Sequence, residues 1–221
     1  MQPTFLPWLG YFELILSSDV FVILDDAQYS KGSWGNRNKI CINNEEHLIT
    51  VPIIKKKLGQ TFLESKINDN VNWRRKLKSK IELNYSKHDN FKCIESLLDV
   101  IKDENNDTLG ELNIKLIENI TKKLGISNKI LFSSKLGIHG KRTDRLVKIL
   151  EYINADYYIS PNGAKEYLEK DNFSGICNIS LSYQNYKIKP YPQKNNKKFI
   201  SHLSIIDAIA NLGYEKVRDI I

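Results

Sequence analysis

At 221 residues with 41% apolar content, the chain can bury a sizeable core as one domain or slightly more. Thirty-three Lys and Arg against 26 Asp and Glu give a formal charge of +7, which points to an anionic partner without identifying it. Cys41, Cys93 and Cys177 show no CxxC spacing, and no apolar run approaches the roughly 20 residues needed to span a bilayer. A disulfide framework, a structural zinc site and membrane insertion are therefore not expected, and a cytoplasmic protein is.

In chain order, Pro3 and Pro7 rule out a regular helix until about Gly10, because proline fixes φ and holds its predecessor extended. A short helix is predicted over Tyr11–Leu16 and an apolar strand over Val20–Leu24. The strand ends in Asp25 and Asp26, and a polar, aromatic and basic loop comes next, with Gln28, Trp34, Asn36, Arg37, Asn38 and Lys39. Alternation then predicts a hairpin, Lys39–Ile42 with His47–Ile53, turning at Asn43-Asn44. Lys55, Lys56, Lys57 and Gly59 make a basic loop after it.

The next stretch reads as helices alone. Trp73, Leu77 and Ile81 predict an amphipathic helix over Asn72–Leu83, with Arg74, Arg75, Lys76 and Lys78 on a basic outer face. Phe91–Val100 and Thr108–Leu124 are the next two, the latter stopped by Gly125. The second half alternates: strand Lys129–Phe132, helix Thr143–Ile153, strand Asp156–Ile159, short helix Gly163–Leu168 and strand Cys177–Tyr183. A helix over Ser204–Asn211 is closed by Gly213, and Tyr214–Ile221 is too short to assign. This rhythm argues for a parallel sheet with right-handed crossovers. The expected fold is α/β: a three-layer, mainly parallel, Rossmann-like sheet with a small hairpin. It forms a single domain over residues 1–221, with a helical insertion at about 65–125.

Several constellations could carry chemistry. Asp25 and Asp26 could bind a metal, orient an amine or sugar hydroxyl, or act as a general base. Adjacent strand residues face opposite ways, so a joint role requires the backbone to turn there; the plainer reading is a cap and a solvated acid. Asn36-Arg37-Asn38-Lys39 can clamp an anion between amides, or simply be a solvated strand entry. Gly137-Ile-His-Gly-Lys-Arg-Thr-Asp144 lies where a strand hands over to a helix, a natural phosphate position, although it is not a Walker A loop. His139, Lys141, Thr143 and Arg145 are its candidates, against a basic loop with Thr143 as N-cap.

Ser160-Pro-Asn162-Gly163 is a turn or a binding loop. Ser204-x-x-Asp207 reads most simply as a capping box. Tyr191, Pro192 and Gln193, with Phe199 and His202, could line a pocket or pack as core. His47 and His88 read as surface residues. No nucleophile motif stands out, so an enzyme here would work by positioning and electrostatics with a single base. No cofactor can be named from the residues.

The composite Gln2-Pro3-x-x-Leu6-Pro7-Trp8-x-Gly10-Tyr11-Phe12, then Asp19 to Asp26-x-Gln28, then Asn36-Arg37-Asn38 resembles the WbqC-like proteins. The similarity continues through Trp73, Tyr85, Lys141, Thr143, residues 156–160, Tyr191, Gln193 and residues 203–207. It departs in two places. The family's strand before the Gln-Pro motif is not seen ahead of Gln2, which suggests a misplaced start. The loop usually of Ser-Gly-x-x-Gly character reads Ser160-Pro-Asn-Gly163, which bears on substrate choice.

The resemblance implies a role in O-antigen, lipopolysaccharide or other cell-surface polysaccharide biosynthesis. With the acids and cations above, it suggests a transferase acting on a sugar nucleotide or amino sugar, plausibly by acyl or aminoacyl transfer. Asp25 or Asp26 is then the catalytic acid–base group. Gln2, Tyr11, Gln28, Asn36, Arg37, Asn38, Lys39, His139, Lys141, Thr143, Arg145, Ser160, Asn162 and Gln193 are the substrate-binding candidates. The expected partner is a nucleotide-linked sugar or another anionic small molecule. Two other classes compete: a non-catalytic scaffold of a polysaccharide assembly complex, and a tRNA or nucleic-acid binder using the Trp73–Lys80 helix. That helix has one aromatic and no stacking platform.

Overall fold

The computed structural model describes residues 1–54, 57–194 and 198–221. Lys55 and Lys56 of the expected basic loop lie outside the described residues, and Lys57 pairs with Glu64 at 2.6 Å. The chain is a mixture of helices and short strands, the strands paired as parallel and antiparallel ladders.

Helix α1 (Leu9–Leu16) starts two residues before its expected position, as soon as Pro7 is passed, and buries Leu9, Phe12 and Ile15. It feeds β1 (Val20–Ile23). Strand β4 (Lys129–Phe132) lies parallel to β1, in register from Val20↔Lys129 to Ile23↔Phe132. On the other side of β1, the Met1 amine donates to the Val22 carbonyl (2.5 Å) and Leu24 N–H donates to the Met1 carbonyl (2.8 Å). That alternation is a parallel-ladder pattern, so β1 lies between Met1 and β4.

The hairpin forms as expected: β2 (Arg37–Ile42) and β3 (Glu45–Thr50) pair antiparallel. Asn43 and Asn44 both take positive φ (50° and 66°), the backbone that a two-residue turn requires and that asparagine tolerates. β3 stops at Thr50, short of the expected Ile53, where Pro52 has no N–H to offer.

Helices α2 (Trp73–Tyr85), α3 (Glu95–Lys102) and α4 (Leu109–Lys123) form the helical segment. Thr108 and Glu111 close a reciprocal capping box at the start of α4, and Gly125 sits just past its end at φ 65°. One expectation for α2 is corrected. Arg74 is not on the outer face: it is 6% exposed, bonds Asp69 through Nε and NH2, and donates to the carbonyls of Ile101, Asp103 and Asn106. Its planar fork satisfies the C-terminal end of α3 and the connection after it, which a lysine could not do.

In the second half, α5 (Arg142–Tyr152) precedes β5 (Tyr157–Ser160), then come α6 (Lys165–Lys170), α7 (Phe173–Ile176) and β6 (Ser180–Tyr183). β5 and β6 pair parallel, as the rhythm predicts. Val147, Leu150, Leu168 and Phe173 make a small core of their own, apart from the main one. Among the described residues no ladder joins the β1–β4 pair to the β5–β6 pair. Side chains join them instead: Ile159 of β5 packs against the main core, and Gln184, just past β6, donates to the Gly10 carbonyl (2.7 Å) and to Glu13 (2.5 Å) of α1.

Helix α8 (Ile205–Arg218) does not end at Gly213. The chain kinks there (φ 78°, ψ 167°), a conformation open to glycine, and helix resumes through Val217, which is fully buried. No helix among the described residues is long and apolar enough to cross a membrane.

Candidate functional site

The parallel pairing of β1 with β4 puts their C-terminal ends side by side. Asp25 and Asp26 lie just past the end of β1, and Ser133 and Ser134 lie just past the end of β4. The backbone turns after Leu24, whose carbonyl accepts from Ala27 N–H at 3.3 Å. Both carboxylates can therefore reach the same serine pair, the condition a joint role requires.

Asp25 is 3% exposed. Its Oδ1 accepts from the Ser134 N–H (2.9 Å) and the Ser133 hydroxyl (3.2 Å), and its Oδ2 from the Ser134 hydroxyl (2.6 Å). Asp26 is less enclosed, its side chain 30% exposed. It accepts from the Ser133 hydroxyl (2.5 Å) and from Arg145 NH2 (2.6 Å). Burial pushes the Asp26 carboxyl up, but the Arg145 guanidinium and the Ser133 hydroxyl outweigh it and hold the pKa below its ordinary value of 3.8. Asp25 is thus a fixed, enclosed carboxylate, and Asp26 is an anion at the solvent edge with a cation beside it. Arg145 Nε also donates to the Ile138 carbonyl (3.0 Å), which anchors the loop carrying His139 and Lys141, both exposed.

The other candidates separate by environment. Asn36 and Asn38 turn inward: Asn36 donates to the Val51 carbonyl (2.9 Å), and Asn38 to the carbonyls of Phe5 (3.1 Å) and Leu6 (2.7 Å). The Asn38 bonds fasten the proline-rich start of the chain to the hairpin, and the Asn36 bond ties the hairpin's two arms together. Strand alternation places Arg37 and Lys39 on the opposite face, where Lys39 meets Glu46 at 2.5 Å. Tyr11 is wholly buried against Phe12 and Phe21, and burial raises the pKa of its hydroxyl, which has no hydrogen-bond partner among the described residues.

Gln2 and Gln28 are exposed, and Gln28 forms an isolated antiparallel bridge with Thr61. Thr143 does not cap α5: it lies inside the helix, and its hydroxyl donates to Asp171 (2.7 Å), which also pairs with Arg142. Lys141, Arg142, Thr143 and Asp171 line one cavity, and none of residues 36–39 does. Ser160 is fully buried, while Asn162 bonds the Gln184 carbonyl at 2.8 Å.

Ser204 does cap α8, its hydroxyl accepting from Ile206 N–H (3.4 Å), but Asp207 does not complete the box. Its 1% exposed carboxylate accepts from Tyr85 (3.0 Å), Tyr191 (2.8 Å) and Gln193 (2.9 Å) instead. Burial pushes Asp207 up, against the three hydrogen bonds. His88, expected at the surface, packs on the Tyr85 ring at 4.8 Å, and burial lowers its pKa. Ser133 and Ser134 were not among the expected site residues, and their only signal is position: they come directly after a strand that pairs with β1.

The WbqC-like protein family profile matches residues 2–219. The chain belongs to the WbqC-like family. It is also 32% identical over 218 residues to "Uncharacterized protein Rv1507c" of Mycobacterium tuberculosis (strain ATCC 25618 / H37Rv), covering 97% of this chain and 93% of that protein. No solved structure matches. The match to the WbqC-like profile spans β1, β4 and α5, the elements that carry the acid pair, the serine pair and Arg145.

Proposed function

We propose that this WbqC-like chain is a transferase that modifies a nucleotide-linked amino sugar in cell-surface polysaccharide biosynthesis, by acyl or aminoacyl transfer. The observation that carries the reading is the placement of Asp25 and Asp26 at the C-terminal end of a parallel strand pair, where open α/β sheets bind ligands. The polysaccharide pathway rests on the resemblance of residues 1–40. The same reading treats residues 1–221 as one Rossmann-like, three-layer domain with a helical insertion at about 65–125, working in the cytoplasm.

Asp26 is the group that meets the amine. With Arg145 beside it, it stays ionised and can accept a hydrogen bond from an ammonium. So paired, it is a poor proton acceptor, because its pKa is held far below neutrality. An anionic donor that draws Arg145 away restores its basicity, so donor binding and base activation are coupled. The sugar nitrogen then forms the bond to the acyl carbon of an activated thioester or ester. The bond from that carbon to its carrier breaks, and the carrier leaves with the electron pair. One ammonium proton is lost through Asp26 to solvent before the nitrogen attacks, and a second N–H proton passes through Asp26 to the departing carrier as the amide forms. Asp25, held by the Ser134 N–H and hydroxyl while the single Ser133 proton is shared with Asp26, positions this turn, and exposed Gln2, Gln28, His139 and Lys141 can hold hydroxyls and phosphate.

Incubation with a panel of nucleotide-linked amino sugars and acyl or aminoacyl donors, read by mass spectrometry, tests this. A mass gain on the sugar is expected, and Asp26→Asn should slow it. A wild-type protein that modifies no sugar of the panel, or an Asp26→Asn variant at full rate, contradicts the reading.

A further inference from the structure

Arg37 is a candidate cation whose surroundings ask for a ligand. Its side chain is half-buried, and its Nε is buried with no hydrogen-bond partner among the described residues. Among the described residues no carboxylate pairs with it, whereas its neighbour Lys39 has Glu46 and Arg145 has Asp26. A partly desolvated cation without a counter-charge is costly to keep unless something anionic arrives.

The guanidinium also has room beside it: a Cβ built on Gly32, which sits at φ 76°, would lie 3.6, 3.6 and 3.7 Å from NH1, NH2 and Cζ of Arg37, and glycine leaves that space open. The Trp34 ring, 50% exposed, has Arg37 Cζ and Lys39 Nζ each 5.9 Å from its centroid. An exposed indole beside a guanidinium is a pairing that can take a planar base by stacking and a phosphate by hydrogen bonds.

This face belongs with the acid pair through the first residues of the chain. Met1 is hydrogen-bonded to Leu24, next to Asp25, and Phe5 N–H donates to the Trp34 carbonyl at 3.1 Å. The four steps from Met1 to Phe5 reach at most about 14 Å, at roughly 3.3–3.6 Å per residue. Exposed Gln2 lies between the two ends.

We propose that Trp34 and Arg37 form the nucleotide subsite, the base stacking on the indole and the diphosphate meeting the guanidinium, with the sugar running past Gln2 to Asp26. This rests on the transferase reading and adds to it the part of the substrate that is recognised and where.

Fluorescence titration with UDP, ADP and GDP, against inorganic pyrophosphate, tests it. Trp8 is stacked on His202 and Trp73 is buried, so the exposed indole is Trp34. The nucleoside diphosphates should quench emission and bind more tightly than pyrophosphate. In calorimetry, Arg37→Met should weaken every diphosphate by about tenfold or more, the loss of a charged hydrogen bond. Its melting temperature should equal or exceed that of wild type, which shows that the residue is not structural. Trp34→Leu should reduce nucleoside diphosphate affinity to that of pyrophosphate. Binding unchanged in both variants overturns the subsite, as does quenching by pyrophosphate as strong as by the nucleotides. The two readings fail separately. Turnover that depends on Asp26 with KM indifferent to Trp34 and Arg37 removes the subsite and leaves the transferase. Nucleotides bound at Trp34, with no sugar modified, does the reverse.

Discussion

Two aspartates, Asp26 and Asp207, are each held by side-chain donors, and the molecule makes opposite things of them. Asp207 is sealed among two tyrosines and a glutamine, and no Lys or Arg forms an ion pair with it among the described residues. Its pKa rises, because burial disfavours the charge more than three hydrogen bonds support it. Asp26 sits at the rim of a parallel strand pair with a guanidinium at 2.6 Å, and its pKa falls. The first arrangement fastens α8 to α2 and to the segment around Tyr191. The second leaves an anion and a cation where a ligand can part them. Surroundings, not residue type, separate the enclosed acid from the one that the proposed transfer would use.

Reaction rate should separate the two acids most widely. Asp26→Asn should lower sugar modification by about 10²–10⁴-fold, the usual contribution of a positioned base. Its stability should shift by less than about 1 kcal/mol in chemical denaturation, since the ion pair it loses is partly exposed. Asp207→Ala should behave inversely. Loss of the acceptor takes the Asp207 carboxylate away from the buried Tyr85 and Tyr191 hydroxyls, about 3 kcal/mol of stability by urea unfolding, while Gln193 keeps its bonds to Ile200. A folded, stable Asp207→Ala protein that is inactive would move the reactive acid to α8.

A smaller effect tests the support of the turn. Ser134→Ala removes the 2.6 Å bond to Asp25 and should cost about 1 kcal/mol, with a measurable drop in activity. Activity unchanged would mean that Asp25 has no part in holding the site.

The pH dependence gives the finest contrast. The Asp26 pKa is lowered on folding, so its contribution is fully present above 3.8 and is lost as pH falls through the folded value. The Asp207 pKa is raised, so its folded form gains most below 3.8, and that gain is lost as pH rises through the folded value. Unfolding midpoints of Asp26→Asn and Asp207→Asn, measured from acid to neutral pH, should therefore diverge from wild type in opposite directions. Relative to wild type, Asp207→Asn should improve as pH rises from 3.8 towards neutrality. Asp26→Asn should worsen as pH rises towards 3.8. Parallel curves would remove the distinction.

The parts of the fold that could be read from the chain obey local rules. The Asn43-Asn44 turn, the four residues of β4 and the stop at Gly125 each depend on neighbours within a few positions. The parallel pairs were legible from the strand–helix rhythm, though that rhythm says nothing about whether the pairs join. Ser133 and Ser134 were not legible, because their bonds to Asp25 span 108 and 109 residues and serine is common after strands of every kind. Arg74 carried a misleading signal: its charge assigned it to water, yet orphan carbonyls at the end of α3 gave it partners inside. Asp207 misled in the same way, since spacing of three from Ser204 describes a capping box equally well. Tyr191 and Gln193, read as pocket lining, are among the groups that enclose it.

A crystal structure of the protein with a bound nucleotide-linked amino sugar would test the role of Asp26 at first hand. The sugar nitrogen should lie within hydrogen-bond reach of Asp26, the Asp26–Arg145 contact should be lengthened, and the base should lie over Trp34. A sugar bound elsewhere, with Asp26 and Arg145 still paired and nothing beside them, would contradict that role.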